Sequence, residues 1–267
     1  MDRFIHTILW LYLCLTKNWL TDVHIHLSDS EFKPDLQSII TAMNKMKIRA
    51  CCVSVDYSSS KATLDLCKES PLILPFIGIH PEKANDDLQP MVDLIEENSK
   101  QISGIGEIGL DKTYVSNESD FNKQIQIFQK MLSLAEKLQK PVSVHSRKTL
   151  DEIFSILPSY HINGILLHWF AGSKKQLTKA MDLGCFVSYG PAMVYSQDKQ
   201  VLLSQTEHDK ILFETDGPVK FSRCFGFKTA QVTFLPSVIF CASNILHKTY
   251  DEMLSISEKN TNSYLGV

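Results

Sequence analysis

The sequence predicts an α/β fold in which eight parallel strands close into a single-domain (β/α)8 barrel of the TIM type. Three observations carry that expectation. Eight apolar, strand-like runs alternate with amphipathic segments along the chain. Residues of metal-ligating type close five of those runs. No stretch between them has the composition of an interdomain linker, and 267 residues suit one barrel.

Taken in order, Leu20–Ile25 carries His24 and leads into His26, Ala50–Val55 follows, and Leu72–Ile79 runs into His80-Pro81. Ile102–Ile108 carries Glu107. Val142–His145 ends on its histidine and continues as Ser146-Arg147, and Ile165–His168 ends on another and continues as Trp169. Cys185–Tyr189 carries no ligand, and Ile211–Glu214 runs into Thr215-Asp216. Between the runs, Leu36, Ile39, Ile40, Met43 and Met46 follow helical spacing, as do Phe121, Ile125, Phe128, Leu132, Ala135 and Leu138. Near-continuous apolar strands separated by helices indicate a covered parallel sheet. An open doubly wound sheet would gather its site at one switch point. Ligands from strands 1, 4, 5, 6 and 8 converge only if strand 8 closes on strand 1, so the site is expected at the C-terminal ends of barrel strands.

Beyond Asp216 comes a basic-aromatic loop, Val219–Lys228, then a helical region through Ser263. Residues 1–19 form an N-terminal extension and residues 20–267 the barrel. Phe4–Leu15 is apolar but too short and interrupted to span a bilayer, so an extra helix or tail on the barrel bottom, or a start site placed upstream of the true one, is expected. A net charge of −3 gives no basic field for nucleic acid, and a phosphodiester would be drawn by metals and a local basic rim. Seven cysteines (Cys14, Cys51, Cys52, Cys67, Cys185, Cys224, Cys241) show no C-x-x-C spacing and read as small hydrophobes in a reducing compartment. A cytoplasmic monomer without membrane contact is the expectation.

The chemistry rests on His24, His26, Glu107, His145, His168 and Asp216 as metal ligands. One strand-end histidine is usually a hydrogen-bonded structural residue. Six such groups, each ending an apolar run where a partly buried charge needs a partner, point instead to ions. Imidazole with carboxylate suits Zn²⁺, Mn²⁺ or Mg²⁺. Two dications need an anion between them, and Glu107 can offer one oxygen to each. His24, His26 and Asp216 then complete one site, and His145 and His168 the other. Asp216 can also accept the proton of the attacking water as general base. His80, on the same rim, is a candidate for contact with substrate or water. Arg147 offers a planar fork to a phosphate oxygen, with Ser146 beside it. Trp169 can stack on a base, and Lys220, Arg223 and Lys228 with Phe221, Phe225 and Phe227 form a weaker candidate surface.

Several stretches resemble the TatD family of metal-dependent deoxyribonucleases: Asp22-Val23-His24-Ile25-His26, Gly78-Ile79-His80-Pro81, Gly104 through Asp111, Pro141 through Arg147, His168 through Gly172, and Glu214 through Pro218. The resemblance implies a TIM-type barrel, two divalent ions held by the six ligands, and phosphodiester hydrolysis on DNA, with 3′→5′ exonuclease activity in some members. The chain departs from the pattern at Lys112, where an aromatic is usual, and at Gly217, where Ser is common. The basic-aromatic loop also stands where an Asn- and Arg-rich segment often follows. An amidohydrolase-like enzyme acting on a C–N or C–O bond is the alternative, but many of those bridge their metals with a modified lysine, and no strand-end lysine stands here. A non-enzymatic scaffold would be marked by lost ligands, and all six are present.

Overall fold

Every strand pairs in parallel with its sequence neighbour, from β1 to β8 in one sheet. The strands are β1 (Leu20–Ile25), β2 (Ile48–Val53), β3 (Ile73–Ile77), β4 (Gly104–Asp111), β5 (Val142–Arg147), β6 (Ile165–Leu167), β7 (Phe186–Tyr189) and β8 (Ile211–Phe213). The structure is a computed structural model, and it describes residues 19–267. The extension expected over residues 1–19 therefore lies, but for Trp19, outside the described residues. Trp19 N donates to Glu258 Oε1 at 3.0 Å.

Helices cover the outside because their sequences carry one apolar face and defined ends. α1 (Leu36–Met46) buries Ile39, Ile40 and Met43 and stops at Lys47 in the left-handed region. α2 (Tyr57–Glu69) starts at a capping box between Asp56 and Ser59. α3 (Leu88–Glu97) follows an Asp87 cap. α4 (Glu118–Leu138) is the longest, is capped by Asn117, and lays Phe128, Met131, Leu132 and Ala135 on the barrel. α5 (Leu150–Ile156), α6 (Lys174–Asp182) and α7 (Gln197–Gln205) continue the ring. The region expected to be helical through Ser263 is two helices, α8 (Leu235–Ile245) and α9 (Tyr250–Leu265). His247, at φ 53°, separates them, and a Thr249–Glu252 capping box restarts the helix.

Inside the barrel a smaller cluster, including Val23, Val53, Phe76, Phe186 and Leu212, fills the lower layers. Tyr264 of α9 plugs the bottom. Its ring lies 6.1 Å from that of Phe76 and 5.7 Å from that of Phe186, and its hydroxyl donates to Val142 O. The C-terminal helix thus seals the floor. Among the described residues no helix is long and apolar enough to cross a membrane.

The seam between β8 and β1 is closed just above the strands. Asp216 N donates to His24 O at 2.9 Å and His26 N donates to Gly217 O at 2.8 Å. Below these, the Asp22 carboxylate accepts from Thr215 N and Thr215 Oγ1 at 3.0 and 2.5 Å. Burial pushes the Asp22 carboxyl up to about 7 despite those bonds.

Gly109 shows how closely β4 and β5 approach. Its φ is +147°, and a Cβ there would stand 2.1 Å from His145 O. Gly109→Ala is expected to cost about 3 kcal/mol from strain and overpacking. The thermal midpoint should fall by roughly 6–12 °C for a domain of this size. A melting curve superimposable on that of the parent protein would contradict this packing.

Candidate metal centre

Glu107 lies in the middle of the upper barrel, 3 % exposed, and its two oxygens face different groups. Oε2 is 3.6 Å from His24 Nε2 and 3.5 Å from His26 Nε2. Asp216 Oδ1 is 3.7 and 3.6 Å from the same two nitrogens. These separations are long for hydrogen bonds. They are close to the roughly 3.3–3.6 Å between ligand atoms arranged tetrahedrally around one dication with ordinary bond lengths. His24 Nε2 is buried with no hydrogen-bond partner, an arrangement that normally costs a native fold unless something else binds there. The donor set fits a divalent ion.

Glu107 Oε1 turns the other way. His145 Nδ1 and His168 Nε2 both lie 2.8 Å from it, and His80 Nε2 stands 3.6 Å away. The two imidazole nitrogens are 3.3 Å apart. Ligand atoms of His24, His26 and Glu107 group closely enough to hold one ion, and those of His80, Glu107 and His145 form another group. The rings of His24 and His168 stack at 3.7 Å, which joins the two halves.

The protonation pattern follows the surroundings. Burial pushes the imidazoles of His24 and His80 down to about 4, leaving both rings neutral near pH 7. Burial also opposes charge on His26 and His145, but neighbouring carboxylates outweigh it. His26 is raised by Asp216 and Glu107, and His145 reaches about 9 through Asp111 and Glu107. Burial would raise the Glu107 carboxyl, yet the surrounding imidazoles hold it well below the usual range. Glu214, fully buried near Asp216, is pushed well above that range by burial and by the Asp216 charge.

The centre opens into a cleft of about 610 Å³ whose walls include His80, Ser146, Arg147 and Trp169. His80 caps a short 3-10 turn, its Nδ1 accepting from Glu82 N, with Nε2 left towards Glu107. Arg147 is exposed at the end of β5. Trp169 is half-buried, with its ring 5.3 Å from that of Phe221. Most of the basic-aromatic loop lies elsewhere. Lys220 pairs with Glu31, Phe221 is buried and Phe225 stacks on Phe234, while Phe227 is 70 % exposed. Of that loop only Val219 lines the cleft.

Four further residues support the ligands. Ser143 Oγ lies 2.8 Å from His24 Nδ1, and Asp111 Oδ2 lies 2.9 Å from His145 Nε2. Glu214 accepts from Trp169 N and Ser188 Oγ, and Asp22 fastens the seam. Each stands two or four positions from a ligand on or beside the same strand, where alternation returns side chains to one face. That spacing was the available signal. The unusual residues also have local reasons. A Cβ at Gly217 would sit 2.1 Å from Ala230 O, which leaves no room for serine, and Lys112 pairs with Glu152 beside the Phe121 ring.

Comparison with known proteins matches residues 21–266 to the family described as TatD related DNase. The human protein named deoxyribonuclease TATDN3 is 28% identical over 74% of this chain and 78% of its own length. The Salmonella typhimurium protein named 3'-5' ssDNA/RNA exonuclease TatD is 25% identical over 76% of this chain and 80% of its own. The solved structure of YjjV, a TatD homologue from Escherichia coli, superposes with a TM-score of 0.85 at 20% identity. It covers 93% of this chain and 98% of that one, and shares the barrel.

Proposed function

The chain belongs to the TatD-related deoxyribonuclease family, and from that premise we propose a nuclease that uses two divalent ions to hydrolyse phosphodiester bonds in DNA, releasing nucleotides from 3′ ends. It is a metal-dependent hydrolase. The observation that carries the two-ion reading is the division of Glu107, with Oε2 towards His24 and His26 and Oε1 towards His145 and His168. Among the described residues lining the cleft there is no lysine, which favours a glutamate bridge over a modified-lysine one.

In this reading His24, His26 and Asp216 would hold one ion and His145 and His168 the other, with Glu107 able to offer an oxygen to each. When bound, Mg²⁺, Mn²⁺ or Zn²⁺ would lower the pKa of water towards neutrality and offset charge growing on the phosphate. Asp216 takes the proton from the attacking water. Arg147 grips a non-bridging phosphate oxygen, and Ser146 donates beside it. His80, neutral at working pH, orients water or substrate through Nε2. Trp169 gives the adjoining base a stacking face. A cytoplasmic setting is supported by the unpaired thiols of the described cysteines. A monomer is supported by the scatter of exposed apolar side chains such as Met46, Tyr57 and Phe240 over different elements.

The test is metal-stripped protein on 3′- and 5′-labelled single strands and duplexes, with Mg²⁺, Mn²⁺ and Zn²⁺ restored singly. Metal-dependent release of the 3′ label as mononucleotide is expected. Turnover that persists without metal, or cleavage confined to amides and carboxylic esters, would overturn the reading. Arg147→Lys is expected to raise the oligonucleotide KM about fivefold, the equivalent of roughly 1 kcal/mol, because a point charge replaces a bidentate fork. Metal content should not change. Steady-state kinetics identical to the parent would return Arg147 to ordinary surface.

A further inference from the structure

Asp111 is a buried carboxylate that the ligand set leaves unexplained. It ends β4, four residues beyond Glu107, and is 1 % exposed. Its Oδ2 accepts from His145 Nε2 at 2.9 Å. Its Oδ1 accepts from Thr113 N and Thr113 Oγ1 at 2.7 and 2.6 Å. The backbone is clamped as well. Asp111 N donates to Gln124 Oε1 at 2.9 Å, and Gln124 Nε2 donates back to Asp111 O at 3.0 Å. Gln124 projects from α4 and is itself 2 % exposed. The carboxylate has little freedom to turn.

Its partner is the histidine with the unusual orientation. His24, His26 and His168 all direct Nε2 at Glu107, whereas His145 directs Nδ1. An imidazole ligates through the nitrogen that lacks a proton, and the hydrogen bond at the other nitrogen decides which that is. A carboxylate fixed against Nε2 holds the proton there and leaves the Nδ1 lone pair aimed at the position beside Glu107 Oε1. Both Asp111 oxygens are already engaged, Oδ2 by His145 Nε2 and Oδ1 by Thr113, so the carboxylate meets the centre through the ring.

We propose, resting on the two-ion reading above, that Asp111 is a positioning residue that selects the Nε2–H form of His145 and so delivers Nδ1 to the second ion. Asp111→Leu removes the acceptor. Asp111→Asn keeps the shape, the turn cap and one neutral acceptor oxygen. Zn²⁺ affinity is measured by chelator competition on the full-length protein, with the His145 ring nitrogens followed by ¹⁵N spectroscopy at a Zn²⁺ level that just fills both sites of the parent. The parent should bind two ions. Asp111→Leu should keep the first ion at parental affinity, which also shows that the variant is folded, and bind the second about 10–100-fold more weakly. Its ring spectrum should show protonated Nδ1, while Asp111→Asn falls between the two. Parental second-ion affinity and an unchanged ring spectrum in Asp111→Leu would overturn the proposal. So would outright loss of the second ion in Asp111→Asn, which would make Asp111 a ligand. A parent protein that binds only one ion refutes the two-ion reading itself, and the second-ion role of Asp111 with it.

Discussion

Glu107→Ala is expected to abolish measurable turnover and leave no more than one ion per chain. The carboxylate brings the imidazoles of His24 and His26 on one side and those of His145 and His168 on the other within reach of one side chain. Without it, two dications would face each other with no anion between them, and each would also lose a ligand. Losing several kcal/mol of charge stabilisation corresponds to a rate fall of at least about 10³-fold. Elemental analysis after dialysis against defined Zn²⁺ reads the stoichiometry, and a labelled oligonucleotide reads the rate. Two ions with near-parental kcat in the variant would remove Glu107 from the bridge. The imidazoles of His145 and His168 lose the carboxylate oxygen that both face, so the side chains flanking the gap should also become less ordered.

Asp216→Asn separates two roles of one residue. Its Oδ1 faces His24 and His26, and the residue is 5 % exposed at the lip of the cleft. The residue sits at φ 52°, a conformation that asparagine tolerates, so the backbone should hold. The amide keeps one ligating oxygen and loses the basic carboxylate. The first ion should bind more weakly, and kcat should fall by roughly 10²–10⁴-fold. Saturating metal is expected to restore occupancy without restoring rate. A metal titration in which kcat recovers fully would make Asp216 a ligand alone, and the proton acceptor would then have to be another group in the cleft, with His80 the first to examine.

Much of this architecture is legible before any coordinates. The eight strands follow from apolar runs, and their order from the helical segments between them, because a strand buried on both faces has little choice of composition. What is not legible lies at the ends. Strand β4 reads as finishing at Ile108, since Gly109 and Asp111 are turn-forming residues. In the structure it continues to Asp111 because Leu110 and Asp111 pair with Ser146 and Arg147 of β5. That pairing is a tertiary fact with no local signature. It is also why Asp111 reads as part of a loop rather than as the partner of His145. The basic-aromatic loop misleads in the opposite direction. Its phenylalanines suggest a nucleic-acid surface, yet Phe221 and Phe225 are used against Trp169 and Phe234, which composition cannot distinguish. The N-terminal extension lies outside the described residues apart from Trp19.

The stitch between Asp22 and Thr215 has a consequence for how such a protein is made. The two residues are 193 positions apart, and the residues they hold, His24 and Asp216, belong to opposite ends of the chain. While the ribosome is still working through β2 to β7, the growing chain carries His24 and His26 but not the bonds from β8 that lock them. Only when β8 has emerged can the backbone bonds to His24 and His26 form, and only when α9 follows can Tyr264 close the floor beneath them. Long-range closure of this kind is slow compared with local helix formation, and an ion that binds only the closed form then adds its binding free energy to closure. On the proposed ligand set, a chain that ends before β8 lacks Asp216 and the backbone bonds that hold His24 and His26, so hydrolytic capacity is expected to arrive last.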